Sequence, residues 1–305
     1  MRLKLYCSGR EVVLNRPIML AAWPGMGNVA ISAIDYLRKK LNAKPLGEID
    51  FSEFVAPEAS HVENGIAVLS KIPKIVIYYR KYPDLIIVEG ETQLHGKLGA
   101  ILMEKIIRLV GKRFNVSKIF TGAAFPVPIS YEEPSTLYTA ATTLSLRDLL
   151  FNEYQVKILD HGEISGFNGL LLGYAREIGI PSACILATIP LYAMNLPNPK
   201  ASREIVKMLA NILRVRIPLT DLDLQVKLME KEMIEIEDRM KEELVLSPKD
   251  DASGETPLFV KQKIERLFRE ARNNRQKAYK LKKELDKWNL FDSYEDRFLD
   301  LFKKQ

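Results

Sequence analysis

The chain has 305 residues, 47% of them apolar and 28% charged, enough for a sizeable core and too apolar for extensive disorder. Its formal net charge of +6 is mild, and no apolar run is long enough to read as a membrane span. Met1-Arg2-Leu3-Lys4-Leu5 alternates polar and apolar residues unlike a signal peptide, so a cytoplasmic location without membrane contact is expected.

From residue 1 to about 220, short β-branched runs alternate with helical patterns. Strands are expected at Leu3–Tyr6, Ile18–Trp23, Pro45–Ile49, Ile66–Leu69, Ile75–Tyr79, Leu85–Val88, Lys118–Thr121, Gln155–Leu159 and Ala183–Ala187. Helices are expected at Val29–Leu41, Gly96–Val110, Leu144–Asn152, Phe167–Ile178 and Lys200–Leu213. Such alternation implies an α/β fold with a largely parallel sheet covered by helices. Cys7 and Cys184 lie in apolar, strand-like surroundings and read as reduced, buried thiols.

Beyond Pro218 the pattern changes. Leu222, Val226, Met229, Met233, Ile236 and Met240 follow alternating spacings of four and three, a heptad seam. The breaker Ser247–Gly254 follows, and a second seam then runs Val260, Ile264, Leu267, Ala271, Asn274, Ala278, Leu281, Leu285, Trp288. The expectation is residues 1–220 as an α/β domain and 221–305 as a helical hairpin or coiled-coil extension, with Asn274 as a register-fixing contact. Phe291, Tyr294, Phe298 and Leu301 form a last amphipathic segment. Between Lys261 and Lys287 eleven basic residues face four acids, yet a solvated helix face is the simpler reading and nucleic acid is not an expected partner.

The chemistry-bearing residues gather where strands give way to loops. Ile18–Trp23 breaks at Pro24-Gly25 and passes through Met26-Gly27-Asn28 into a helix, an arrangement that aims backbone N–H groups at an anion. Glu89-Gly90-Glu91-Thr92-Gln93, Gly122-Ala123-Ala124 and Gly166-Phe167-Asn168-Gly169 follow other strands. In an open parallel sheet these loops meet at the carboxyl ends of the strands, where ligands bind. The candidate ligand-binding set is therefore Gly25, Met26, Gly27, Asn28, Glu91, Gln93, Gly122, Asn168 and Gly169.

Two readings of that set stay open. Gly25-Met26-Gly27-Asn28-Val29-Ala30 fits a dinucleotide fingerprint, with Glu48 and Asp50 at the distance of a ribose partner. The same small residues serve a tight turn and close helix–strand packing with no phosphate present. Pro24 precedes the first glycine, and no second mononucleotide half follows. His61, His95 and His161 are scattered, so no metal site is expected. No nucleophile elbow or P-loop is present, and Glu89, Glu91, Glu132, Glu133, Asp160 and Glu163 remain as loop carboxylates. Asn198 is placed to cap the helix after Pro197. Tyr78-Tyr79-Arg80-Lys81-Tyr82 reads as sheet packing in preference to base stacking.

Pro24–Val29, Glu89–Gln93, Gly166–Ala175, Gly179-Ile180-Pro181 and Asn198–Ala201, in this order, resemble the PAC2 family of proteasome assembly chaperones and their archaeal and bacterial relatives. The resemblance spans residues 15 to about 220. It implies an α/β domain like the nucleoside phosphorylases, self-association, no cofactor and a protein partner such as proteasome subunits. The expected function is a non-catalytic homo-oligomeric scaffold or adaptor. The alternative is a nucleotide- or nucleoside-binding enzyme, ligase-like or phosphorylase-like, using the cleft around Gly25-Met26-Gly27. Relatives that dock on proteasome rings are expected to end in a hydrophobic-Tyr-any tripeptide. The sequence here ends Phe302-Lys303-Lys304-Gln305, so tail insertion is not expected and the helical hairpin is the candidate interaction arm.

Overall fold

The structure is a computed structural model that describes residues 2–6, 12–57, 59–246, 258–273, 277–288 and 290–302. Cys7, the 247–254 breaker, Asn274 and residues 303–305 lie outside the described residues. The chain forms two compact units. The first is Met1–Phe125, Ser135–Thr188 and Asn195–Gln225; the second is Pro126–Pro134, Ile189–Met194 and Val226–Gln305. Two short segments of the α/β region thus belong to the second unit, an arrangement that a single division at residue 220 does not contain.

In chain order the first elements are β1 (Arg2–Leu5), β2 (Ile18–Ala22), α1 (Val29–Lys40), β3 (Lys44–Asp50), β4 (Ser60–Glu63), β5 (Ile66–Leu69), β6 (Ile75–Arg80) and β7 (Leu85–Gly90). Next come α2 (Gly96–Arg113), β8 (Lys118–Val127), β9 (Leu137–Ala141), α3 (Leu144–Tyr154), β10 (Lys157–Ile158), α4 (Gly166–Glu177), β11 (Ser182–Pro190) and α5 (Pro199–Ile212). Among the described residues nine strands form one sheet in the order β1-β3-β6-β7-β2-β8-β11-β9-β10. β4 and β5 pair only with each other. The large helix-flanked sheet expected from the sequence is present, and it is mixed: β2 runs parallel to β7 and β8, while β1, β3, β6 and β7 pair antiparallel in succession.

β2 is central because both of its faces are covered, which is why Ile18-Met19-Leu20-Ala21-Ala22 is a continuous apolar run. Met19, Ala21 and Trp23 join Ile86, Val88, Leu102, Ile106, Phe167 and Leu171 in a core shared with α2 and α4. α1 and α5 pack on each other, and a side chain at Gly122 of β8 would press on Ala30 and Ile205. At Gly47 a Cβ would stand 2.3 Å from the Lys4 carbonyl, so glycine there admits edge strand β1. Thr143 caps α3 by accepting from Leu146 N, and Asn198 caps α5 by accepting from Ala201 N, as its place in the sequence predicts.

The second unit contains most of α6 (Thr220–Leu246), then α7 (Leu258–Asn273), α8 (Ala278–Lys287) and α9 (Phe291–Asp300). On α6 the seam residues Leu222 and Met233 are buried and Val226, Met229 and Ile236 are half-buried. The second seam departs from expectation: it is not one long helix but two, α7 and α8, packed on each other. Val260, Ile264, Leu267, Phe268 and Ala271 of α7 share a core with Ala278, Leu281, Leu285 and Trp288, closed by Phe298 of α9. Lys277 pairs with Glu270 and Lys263 with Glu284, so the two helices run antiparallel. The four-three spacing marks a stripe to be buried and is silent on whether the helix bends back to bury it.

Candidate functional site

At the carboxyl end of β2 the chain makes a tight turn whose left-handed positions are held by a glycine and an asparagine. Gly25 is extended, Met26–Asn28 form a single 3-10 turn, and Gly27 and Asn28 take left-handed φ values of 59° and 49°. Asn28 N donates to Gly25 O at 2.9 Å, and α1 begins at Val29. Gly25, Met26 and Asn28 are exposed while Gly27 is buried. A Cβ at Gly27 would stand 3.2 Å from Asn198 Cβ and 3.3 Å from Leu196 O, and Asn198 N donates to Gly27 O. The missing side chain therefore admits the 196–198 loop.

Gln93 and Asn168 tie this turn to its neighbours. Gln93 Nε2 donates to Pro24 O, and its Oε1 accepts from Phe167 N at 2.7 Å in the first turn of α4. Asn168, only 5% exposed, acts as a two-point clamp on Trp23. Its Oδ1 accepts from Trp23 N at 3.1 Å, its Nδ2 donates to Trp23 O at 3.2 Å, and Oδ1 also accepts from Thr121 Oγ1. Glu91 is exposed and holds the start of β6: its Oε2 accepts from Lys74 N, and its own N donates to Lys74 O. A Cβ at Gly169 would lie 1.7 Å from Ile164 O, so glycine there lets the preceding loop touch α4. Gly25, Gln93 and Asn168 converge, Gln93 Nε2 and Asn168 Nδ2 lying 3.8 and 3.9 Å from a Cβ built on Gly25. Gly122 faces helix packing and Glu91 faces β6, so neither points its chemistry at that turn.

One pair beside this cluster escapes sequence reasoning. Glu89, at the end of β7, is largely buried and accepts from Arg38 Nε at 2.8–2.9 Å through both oxygens. Burial pushes its carboxyl up to about 7, against the pull of the Arg38 charge. Arg38 also pairs with Asp35 and lies 4.4 Å over the Tyr78 ring. Basic residues at the end of an amphipathic helix look solvated in sequence, and nothing local predicts that one turns inward.

The second unit holds its own polar cluster. Glu237 of α6 is buried and accepts from Ser130 Oγ at 2.7 Å and from Tyr192 OH at 3.0 Å. Buried Lys263 pairs with Glu284 at 2.9 Å and reaches Glu133 at 3.5 Å, and Glu284 accepts from Trp288 Nε1. Glu133 was a sequence candidate; Ser130, Tyr192, Glu237 and Lys263 were not. Among the described residues no group of His, Cys, Asp and Glu is arranged to hold a metal ion, and no helix is long and apolar enough to cross a membrane. Cys184 is a buried free thiol whose pKa burial raises.

A helix-flanked mixed sheet whose strand-end turns are tied by amide side chains defines the class of this protein, and comparison with known proteins agrees. The PAC2 family model matches residues 19–237, and the chain belongs to that family. An uncharacterized protein of Methanocaldococcus jannaschii is 24% identical over 218 residues, 72% of this chain and 82% of the relative. Among solved structures, Pyrococcus furiosus PbaB, an archaeal proteasome activator, is 25% identical with a TM-score of 0.63, covering 77% of this chain and 98% of PbaB. P. furiosus PbaA, an archaeal homolog of proteasome-assembly chaperone, is 23% identical with a TM-score of 0.61, covering 79% and 93%. A Mycobacterium tuberculosis proteasome-assembly chaperone homologue is 20% identical with a TM-score of 0.58, covering 72% and 94%.

Proposed function

We propose that this chain is a non-catalytic, homo-oligomeric scaffold or adaptor of the cytoplasm that binds a protein partner, with proteasome subunits as the leading candidates. One observation carries the reading. The motif residues with the most chemistry to offer, Gln93 and Asn168, have their amide atoms bonded to the backbone of Pro24, Trp23 and Phe167. Groups held this way make a rigid platform from three strand-end segments, which suits a surface that presents itself to another protein. The PAC2 membership and the likeness to a proteasome activator and a proteasome-assembly chaperone homolog support the choice of partner. In this reading Gly25, Met26, Gly27, Asn28 and Gly169 shape the platform, while Gly122 serves helix packing and Glu91 holds the start of β6.

The test is to mix the full chain with separately purified proteasome α-subunits from the same source. Co-elution of chain and α-subunits, with faster α-ring formation, is the expected result. Failure to bind α-subunits or assembled particles overturns it. A thermal-shift series with nucleotides, with and without magnesium, addresses the enzyme alternative. A true ligand at a hundredfold excess over Kd stabilises by about 2.7 kcal/mol, and the scaffold reading expects no shift.

A further inference from the structure

The first unit holds a cavity of about 280 Å³ at the end of β2 opposite the Gly25 turn. It lies where the last turn of α3, the end of α5 and the first residues of β2 and β8 meet. Ile18 and Lys118, which open those two strands, are register partners. The floor is apolar: Phe120 and Leu150 are buried, and Ile18, Leu149 and Ile212 are half-buried around them. Close-packed interiors leave few voids larger than a water. Ligand pockets begin at about 300 Å³, so this space suits one small apolar body.

Three ionisable side chains line the same cavity, Lys118, Glu153 and Arg214. None of them has an ion pair or a side-chain hydrogen bond among the described residues. Lys118 is half-buried while Glu153 and Arg214 are exposed, so charge stands at the rim and not in the floor. Glu153 lies in the last turn of α3, which carries no basic residue, and carbonyls at a helix end already bear partial negative charge. That end of α3 is an uncompensated site for a cation. Lys118 and Arg214 are two cations without a carboxylate. Both signs line one mouth without meeting.

We propose that this cavity binds a free α-amino acid with an apolar side chain. Lys118 and Arg214 take its carboxylate, Glu153 and the carbonyl end of α3 take its ammonium, and its side chain enters the apolar floor over Phe120 and Leu150. An α-amino acid carries both charges on one carbon and an apolar body beyond them. A polyanion would meet Glu153 with no counter-charge, and an apolar amine would leave both cations unanswered. The site shares no residue with the strand-end platform and is independent of the scaffold reading.

The experiment is calorimetric titration of the full chain with leucine, isoleucine and phenylalanine. The controls are glycine and the deaminated and decarboxylated analogue of each amino acid, isocaproate and isoamylamine in the case of leucine. Saturable binding of at least one amino acid is expected, with glycine and both single-charge analogues weaker by roughly tenfold or more. Glu153→Gln and Arg214→Gln, both at exposed positions, are each expected to weaken that binding about tenfold with unchanged circular dichroism. Glu153→Gln is also expected to abolish the preference for the amino acid over its deaminated analogue, which a merely loosened fold does not do. Should either variant fail to fold, Lys118→Gln takes its place. No saturable binding up to about 10 mM overturns the site. Equal binding of the amino acid and its deaminated analogue in the wild type overturns it too. Binding that none of the variants changes lies elsewhere and overturns the cavity. Capture of α-subunits is read separately, so failure of this site and failure of the scaffold reading stay distinct.

Discussion

The strand ends of the first unit and the helical second unit bury polar groups by opposite strategies. Around Gly25 the amides of Gln93 and Asn168 bond to backbone, whose positions are fixed by the sheet. In the second unit side chain meets side chain: Ser130 and Tyr192 on Glu237, Lys263 on Glu284, Trp288 on Glu284. A backbone group cannot be mutated away, so a lost stitch leaves its partner stranded. A side-chain pair can be replaced together, so the second unit tolerates paired change that the first does not.

A first test of that contrast lies in the second unit. Lys263→Met leaves half-buried Glu284 without its cation and is expected to cost about 2–3 kcal/mol in urea unfolding. Adding Glu284→Gln removes the stranded charge and keeps an acceptor for Trp288, so most of the loss returns. A double variant as unstable as the single one breaks the contrast. In the first unit Asn168→Ala strands the Trp23 N–H and carbonyl and the Thr121 hydroxyl, at about 3 kcal/mol in the same assay. Asn168→Asp is expected to recover little, since it cannot donate to Trp23 O; full recovery contradicts the clamp.

Glu89 gives a smaller effect with a definite sign. Its folded carboxyl titrates at about 7, above the ordinary 4.5, so the fold holds that proton more tightly than the unfolded chain does. This contribution is fully present below pH 4.5 and is lost as pH rises through 7. Stability measured from pH 4 to 8 is expected to fall in the wild type relative to Glu89→Gln by on the order of 2–3 kcal/mol. Parallel curves for the two proteins rule out a proton held at Glu89.

The fold was legible where local signals agree with tertiary demand. β2, α1, β6 and α5 fall within about two residues of their expected limits, because β-branched runs and amphipathic periods coincide there with burial. β4 was missed because Ser60-His61-Val62-Glu63 has no alternation and no covered face to impose one. β9 was missed because Leu137–Ala141 has neither polar–apolar alternation nor a β-branched run, and it is mostly half-buried. The break between α7 and α8 was hidden because Ala271 and Ala278 keep the heptad stripe continuous across it. Within the site, glycines and amides were legible as a motif, but their partners were not. That Asn168 grips Trp23 across 145 residues depends on α4 and β2 meeting, which no local pattern records. The Arg38–Glu89 and Lys263–Glu284 pairs were hidden for the same reason.

The proposed role is assembly, of this PAC2 protein with itself and with proteasome subunits. Native mass spectrometry of the full chain, alone and with purified α-subunits, measures both parts at once. The account predicts a multimer of the chain alone and a discrete complex containing both proteins. A monomer that leaves α-subunits unbound, yet is stabilised by a nucleotide, would contradict it.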